Sequence, residues 1–156
     1  MQTLEELISS APMFEGLEAS HLELISGCGR NIHVDAGELL LREGDPADRF
    51  YLIRRGALVL EVHAPGRPGL PIETLLPGDV IGWSWLFAPY RWQLDGRTTQ
   101  ACELVAFDGV CLRAKCEADH ELGYQLMKRF AESLVARLQA TRLQLLDVYG
   151  DATARI

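Results

Sequence analysis

Between residues 29 and 107 the chain alternates short apolar runs with turn signals at a near-regular spacing. No other feature restricts the fold as much. The turns are Ala36-Gly37, Glu43-Gly44-Asp45-Pro46, Arg55-Gly56, Pro65-Gly66-Arg67-Pro68-Gly69 and Pro77-Gly78-Asp79. The runs they separate, 31–34, 39–42, 50–54, 57–63, 72–76, 80–81 and 98–107, read as strands. Short strands so closely punctuated predict an antiparallel sandwich or barrel. Gly56, between two strand patterns, suits a tight hairpin, and Gly66 to Gly69 a looser one.

The flanks are helical. Over residues 2–28, Leu4, Leu7 and Ile8 recur at helix spacing, Pro12 interrupts them, and Leu17, Leu22, Leu24 and Ile25 resume. Glu18-Ala19-Ser20 ahead of His21 offers an N-cap. Past residue 108 a short helix is expected near 110–115 and a long one over 119–148. Its positions Leu122, Leu126, Phe130, Leu134, Leu138, Thr141, Leu145 and Val148 step by three or four. They form one stripe about eight turns long, apolar except at Thr141. A single barrel seldom needs so long a stripe, so part of it is expected to meet a second copy of the chain. The sequence therefore predicts one domain, with a helical segment at 1–28, a β core at 29–108, helices at 109–150 and a tail at 151–156.

A chain of 156 residues that is 48% hydrophobic can bury one core and is short for two. It has no apolar run long enough for a membrane span, and its acidic, amphipathic opening is unlike a secretory or transit peptide. A cytoplasmic location is expected. The net charge of −7 argues against a nucleic-acid surface. Cys28, Cys102, Cys111 and Cys116 include no Cys-x-x-Cys pair and are expected to be buried thiols in a reducing compartment. His21, His33, His63 and His120 are isolated in the sequence, without the His-x-His clustering of a metal-dependent barrel enzyme. Nor is there a Gly-x-Ser-x-Gly elbow. No metal ligand and no catalytic residue is expected.

Residues 77–97 carry the most chemistry, and all three tryptophans fall there. Gly82 allows close backbone approach, and a helical turn just after it would aim N–H groups at an anion such as phosphate. Two readings of the aromatics stand side by side. Trp83, Trp85, Phe87, Tyr90 and Trp92 either line a pocket, with Ser84 and Arg97 as polar handles, or fill one.

The order of helix, roll, short helix and long helix resembles the cyclic-nucleotide-binding domain of the catabolite-activator-type regulators. Ala36-Gly37-Glu38, Arg42-Glu43-Gly44-Asp45 and Phe50-Tyr51-Leu52-Ile53-Arg54-Arg55-Gly56 are similar to that family's opening hairpins. Leu76-Pro77-Gly78-Asp79-Val80-Ile81-Gly82 is similar to the lead-in to its phosphate-binding cassette. Ala136-Arg137-Leu138-Gln139-Ala140-Thr141 resembles its long dimer helix. The resemblance covers nearly the whole chain. It implies a mainly β fold with flanking helices: an antiparallel, jelly-roll-like β-roll, N-terminal helices and a long C-terminal dimerisation helix. It also implies cyclic AMP or cyclic GMP as the ligand.

The cassette departs from the family in two places. Trp83 stands where the family has a glutamate on the ribose hydroxyl, and an indole cannot accept that hydrogen bond. The family's phosphate arginine falls on Asp95, with Arg97 two residues later and on the same face of an extended strand. Thr141 matches the threonine that reaches the adenine in the catabolite activator, or else bonds its own helix carbonyl. The candidate ligand-binding residues are thus Gly82, Trp83, Ser84, Trp85, Arg97, Thr98 and Thr141. The family's activators continue into a helix-turn-helix domain, for which residues 151–156 leave no room. The expectation is a stand-alone, non-enzymatic, homodimeric sensor without direct DNA or membrane binding. It would take a cyclic nucleotide, another small anion, or no ligand. Its alternatives are a ligand-free scaffold for a protein partner and, further off, a cupin-type metalloenzyme.

Overall fold

The computed structural model describes residues 2–63 and 65–154, the last four by backbone alone. Helix α1 (Leu4–Ser9) opens with a capping box: Glu6 N–H donates to Thr3 Oγ1 at 3.2 Å and Thr3 N–H to Glu6 Oε2 at 2.9 Å. Pro12 then starts a single 3-10 turn at Pro12–Phe14, and α2 (Ala19–Ser26) follows. Eight strands come next: β1 (Gly29–Val34), β2 (Leu39–Leu41), β3 (Arg49–Arg55), β4 (Leu58–Val62), β5 (Leu70–Leu75), β6 (Val80–Ile81), β7 (Asp95–Thr98) and β8 (Cys102–Asp108). Helices α3 (Gly109–Ala118) and α4 (His120–Ala154) close the chain. Among these no helix is long and apolar enough to cross a membrane.

The strands form two four-stranded sheets, ordered β1-β8-β3-β6 and β2-β7-β4-β5, and every pairing is antiparallel. The run expected as one strand over 98–107 is two, one in each sheet. Thr98 pairs with Leu58, whereas Cys102 pairs with Val34, so the chain changes sheets across Thr99 to Ala101. Gly56 permits that crossing. Its φ is +96°, and a Cβ on it would meet the Ala101 carbonyl oxygen at 2.5 Å.

The core has two layers, which is why the central strands are apolar on both faces. Tyr51, Ile53, Leu104 and Ala106 point between the sheets, where they join Leu41, Leu58, Leu60, Ile81 and Trp92. Phe50, Leu52, Val105 and Phe107, alternating with them along β3 and β8, point to the helices and meet Ile8, Phe14, Ile25, Leu112, Leu122, Leu126 and Phe130.

One expectation about the cysteines fails. Cys28 and Cys111 are joined in a disulfide, with their Cα atoms 6.0 Å apart; Cys102 and Cys116 are free thiols. The β1–β8 pairing explains the meeting: Gly29 lies opposite Phe107, and Asp108 N–H donates to the Cys28 carbonyl at 2.8 Å. That register brings the end of α2 beside the first turn of α3, across 83 residues of sequence. Burial raises both remaining thiols above their ordinary pKa.

Candidate functional site

The segment 77–97 is built on a braced turn. Asp79 Oδ2 accepts from Leu76 N–H at 2.8 Å, Gly78 N–H donates to the Ile53 carbonyl at 2.8 Å, and Ile53 N–H donates to the Asp79 carbonyl at 3.0 Å. Strand β6 pairs with Tyr51 and Leu52 and delivers Gly82 at a φ of +94°. A 3-10 turn at Ser84–Leu86 follows. The loop beyond it, with a cis Ala88–Pro89 bond, is tied to the 44–47 turn. There Ala47 N–H donates to Tyr90 O at 2.7 Å, Gly44 N–H to Trp92 O at 2.9 Å, and the Arg91 guanidinium to Gly44 O at 2.8 Å.

The three tryptophans part company. Trp85 leaves the cassette for the helix-facing core, stacked on Phe50 with ring centroids 4.7 Å apart and edge-on to Phe130 at 5.6 Å. Arg113 fixes this turn from α3: its guanidinium donates to the Trp85 carbonyl and lies 4.1 Å from the centre of the Tyr90 ring. Trp92 turns the other way, between the sheets, and lies over Gly82, where a Cβ would strike its ring at 2.6 Å. Trp83 is half-buried at the rim.

What remains is a cavity of about 30 Å³ bordered by Gly82, Trp83, Ser84, Trp92, Leu60 and Arg137. A cavity that size is far below the several hundred Å³ that enclose a nucleotide-sized molecule. Of the expected ligand residues, Gly82, Trp83 and Ser84 therefore meet at one place, and Trp85 does not join them.

The structure does not bring Arg97 to this cavity. On β7 the inward positions are Gly96 and Thr98, so Arg97 faces outward with its side chain 45% exposed. Its Nε lies 4.0 Å from Glu61 and its Nη1 donates to the Gly37 carbonyl at 3.3 Å. The face rule was sound but its starting point was not, because Asp95 also faces away from the cavity. The inward neighbour is Gly96, where a Cβ would meet Leu41 Cδ1 at 2.5 Å, so β7 has no space for an inward side chain there. Thr98 is fully buried and clamps the β1–β2 turn, donating to Asp35 O at 2.7 Å and accepting from Glu38 N–H at 2.9 Å.

The cation beside the cavity comes instead from α4. Arg137 Nη2 donates to the Val80 carbonyl at 2.9 Å, and its Nε lies 3.5 Å from Glu73 Oε1. Arg137 thus joins the long helix to the strand that leads into Gly82. Nothing in the residue spacing singled it out, because it lies beside the apolar stripe and not in it. One helical turn later Thr141 is exposed and donates to the Arg137 carbonyl at 2.9 Å.

Comparison with known proteins agrees with this architecture. The family model of the cyclic nucleotide-binding domain matches residues 31–119. A CRP-like cAMP-activated global transcriptional regulator of Mycobacterium tuberculosis is 26% identical over 155 residues, which is 98% of this chain and 67% of the regulator. A provisionally assigned cyclic nucleotide-binding protein from Geobacter metallireducens GS-15 superposes with a TM-score of 0.78 at 26% identity, covering 88% of this chain and 99% of that one. A cyclic nucleotide-binding domain from Methylobacillus flagellatus KT gives a TM-score of 0.77 at 17% identity, over 92% of this chain and 80% of the other.

Proposed function

Since the chain belongs to the cyclic nucleotide-binding domain family, we propose that it is a non-catalytic sensor domain. Its ligand, a cyclic nucleotide by class, enters at Gly82, Trp83 and Ser84. Arg137, not Arg97, is the cation that meets the phosphate. The observation that carries this reading is the Arg137 bond to the Val80 carbonyl, two residues before Gly82. A phosphate arriving at the cassette competes with Glu73 and Val80 for that guanidinium. Because Arg137 is part of α4, the competition pulls directly on the long helix.

The departures from the family pattern fit the same scheme. Without a glutamate for the ribose, the ring system is held by stacking, with Trp83 at the rim and Trp92 moving off Gly82 to make room. Past Arg137 the apolar positions of α4 are open to solvent, as in Leu138 at 51% and Leu145 at 54% exposure. A second copy of the same helix is the partner that covers them. The net charge of −7 supports a sensor that does not itself hold nucleic acid.

The test is thermal. Cyclic AMP or cyclic GMP at millimolar concentration raises Tm, since ligand at about 100 times Kd adds about 2.7 kcal/mol to the folded state. Arg137→Ala abolishes the rise and Arg97→Ala preserves it. The reverse pattern returns the phosphate to Arg97.

A second reading is favoured by one observation, the packing of Trp92 on Gly82 that leaves only about 30 Å³. In it the pocket is permanently filled and the domain is a docking module for a protein partner. Absence of any Tm rise with either nucleotide selects it. A metalloenzyme in the roll has no comparable support. Among the described residues, the three-ligand grouping of His, Cys, Asp or Glu that the fold assembles lies on the helices, outside the sheets.

A further inference from the structure

That grouping joins residues far apart in the sequence. Glu18 is the N-cap residue of α2, His21 lies in the first turn of the same helix, and Glu121 lies in the first turn of α4. One ligand atom from each lies within 4.8 Å of the other two. We propose that Glu18, His21 and Glu121 form a divalent transition-metal site, best suited to Zn²⁺, that clamps α2 to the base of α4.

Acidic residues in first helical turns need no metal, because the helix dipole favours them there. The imidazole between them is a different matter. The His21 side chain is only 5% exposed, and its Nδ1 is buried without a hydrogen-bond partner among the described residues. Its Nε2 stands 3.9 Å from Asp119 Oδ2, beyond hydrogen-bonding range. Buried polar atoms are rarely left in this condition, and a ligated ion supplies what is missing.

The charges agree. None of Glu18, Asp119 or Glu121 is in an ion pair with Lys or Arg among the described residues. A neutral imidazole with two carboxylates is the mixed nitrogen and oxygen donor set of zinc and its first-row neighbours, whereas calcium and magnesium take oxygen alone. Asp119, at the junction of α3 and α4, accepts from Leu122 N–H at 3.1 Å. The other histidine with two carboxylates, His33, bonds Glu103 at 2.6 Å and Asp35 at 3.0 Å, so both of its ring nitrogens have partners.

The experiment is a calorimetric titration of chelator-treated protein with ZnCl₂, the disulfide intact, with Tm measured alongside. One ion per chain is expected, with a rise in Tm. Glu18→Gln/Glu121→Gln changes two exposed side chains, keeps the metal-free Tm, and weakens zinc at least about tenfold. His21→Gln abolishes binding; should that variant not fold, the double variant decides. Three results overturn the proposal: no zinc binding, binding undiminished in the double variant, or binding lost through His33→Gln or Cys116→Ser instead.

Discussion

The two halves of α4 carry the same apolar stripe and have opposite surroundings. Leu122, Leu126 and Phe130 are buried against Trp85, Phe50 and Leu112. Leu138, Leu145 and Val148 continue the same spacing and are exposed. The changeover falls between Leu134, which is half-buried, and Arg137, whose bonds to Val80 and Glu73 reach back to the roll. Beyond Arg137 the helix extends roughly 25 Å at 1.5 Å per residue. Periodicity therefore identifies which face of a helix is apolar but not what covers it. The cover depends on how far the rest of the domain reaches, and that is a property of the assembled sheets.

The largest effect expected from this contrast is in the buried half. Leu126→Ala removes a fully buried side chain from the helix-facing core and should cost about 2–5 kcal/mol, read from the shift in denaturant midpoint. A neutral result would mean that the base of α4 is not held by the roll at all. The outer half should respond differently. Leu138→Asp/Leu145→Asp should change the stability of the dilute monomer by less than about 0.5 kcal/mol. In sedimentation at higher concentration, the same double variant should convert a dimer to a monomer. If it instead unfolds the dilute chain, the outer half packs on its own domain and the contrast collapses.

Much of the fold was legible because its causes are local. Turns such as Pro77-Gly78-Asp79 and the hairpin glycine Gly56 need particular backbone conformations, which particular residues supply, and the short strands between them follow. The failures share a different origin. The β7–β8 split, the Cys28–Cys111 bond and the Glu18–His21–Glu121 cluster all depend on which distant segments the register brings together. Arg97 shows how narrow the margin is. Alternation along a strand was the right rule, but one residue of phase decides whether a side chain faces the cavity or solvent, and Gly96 takes the inward place. Arg137 was invisible for the complementary reason: a lone arginine beside an apolar stripe looks like any solvated helix position until Val80 is found beneath it.

The smallest expected effect bears on the place where the stripe itself is interrupted. Thr141 sits within the exposed half and satisfies its hydroxyl on the Arg137 carbonyl, so it makes no demand on a partner. If the outer half is a seam between two copies, Thr141→Leu makes the apolar surface continuous. It should then tighten the dimer by roughly 1–1.5 kcal/mol, about a tenfold fall in dissociation constant by sedimentation equilibrium. The dilute monomer should be nearly unaffected, since leucine is at least as good a helix former as threonine. Had the hydroxyl been kept for the ligand, the dimer would not tighten, and the substitution would instead erase the nucleotide-driven rise in Tm. The two readouts move independently, so one variant separates a threonine that interrupts a seam from one that reports an occupied cassette.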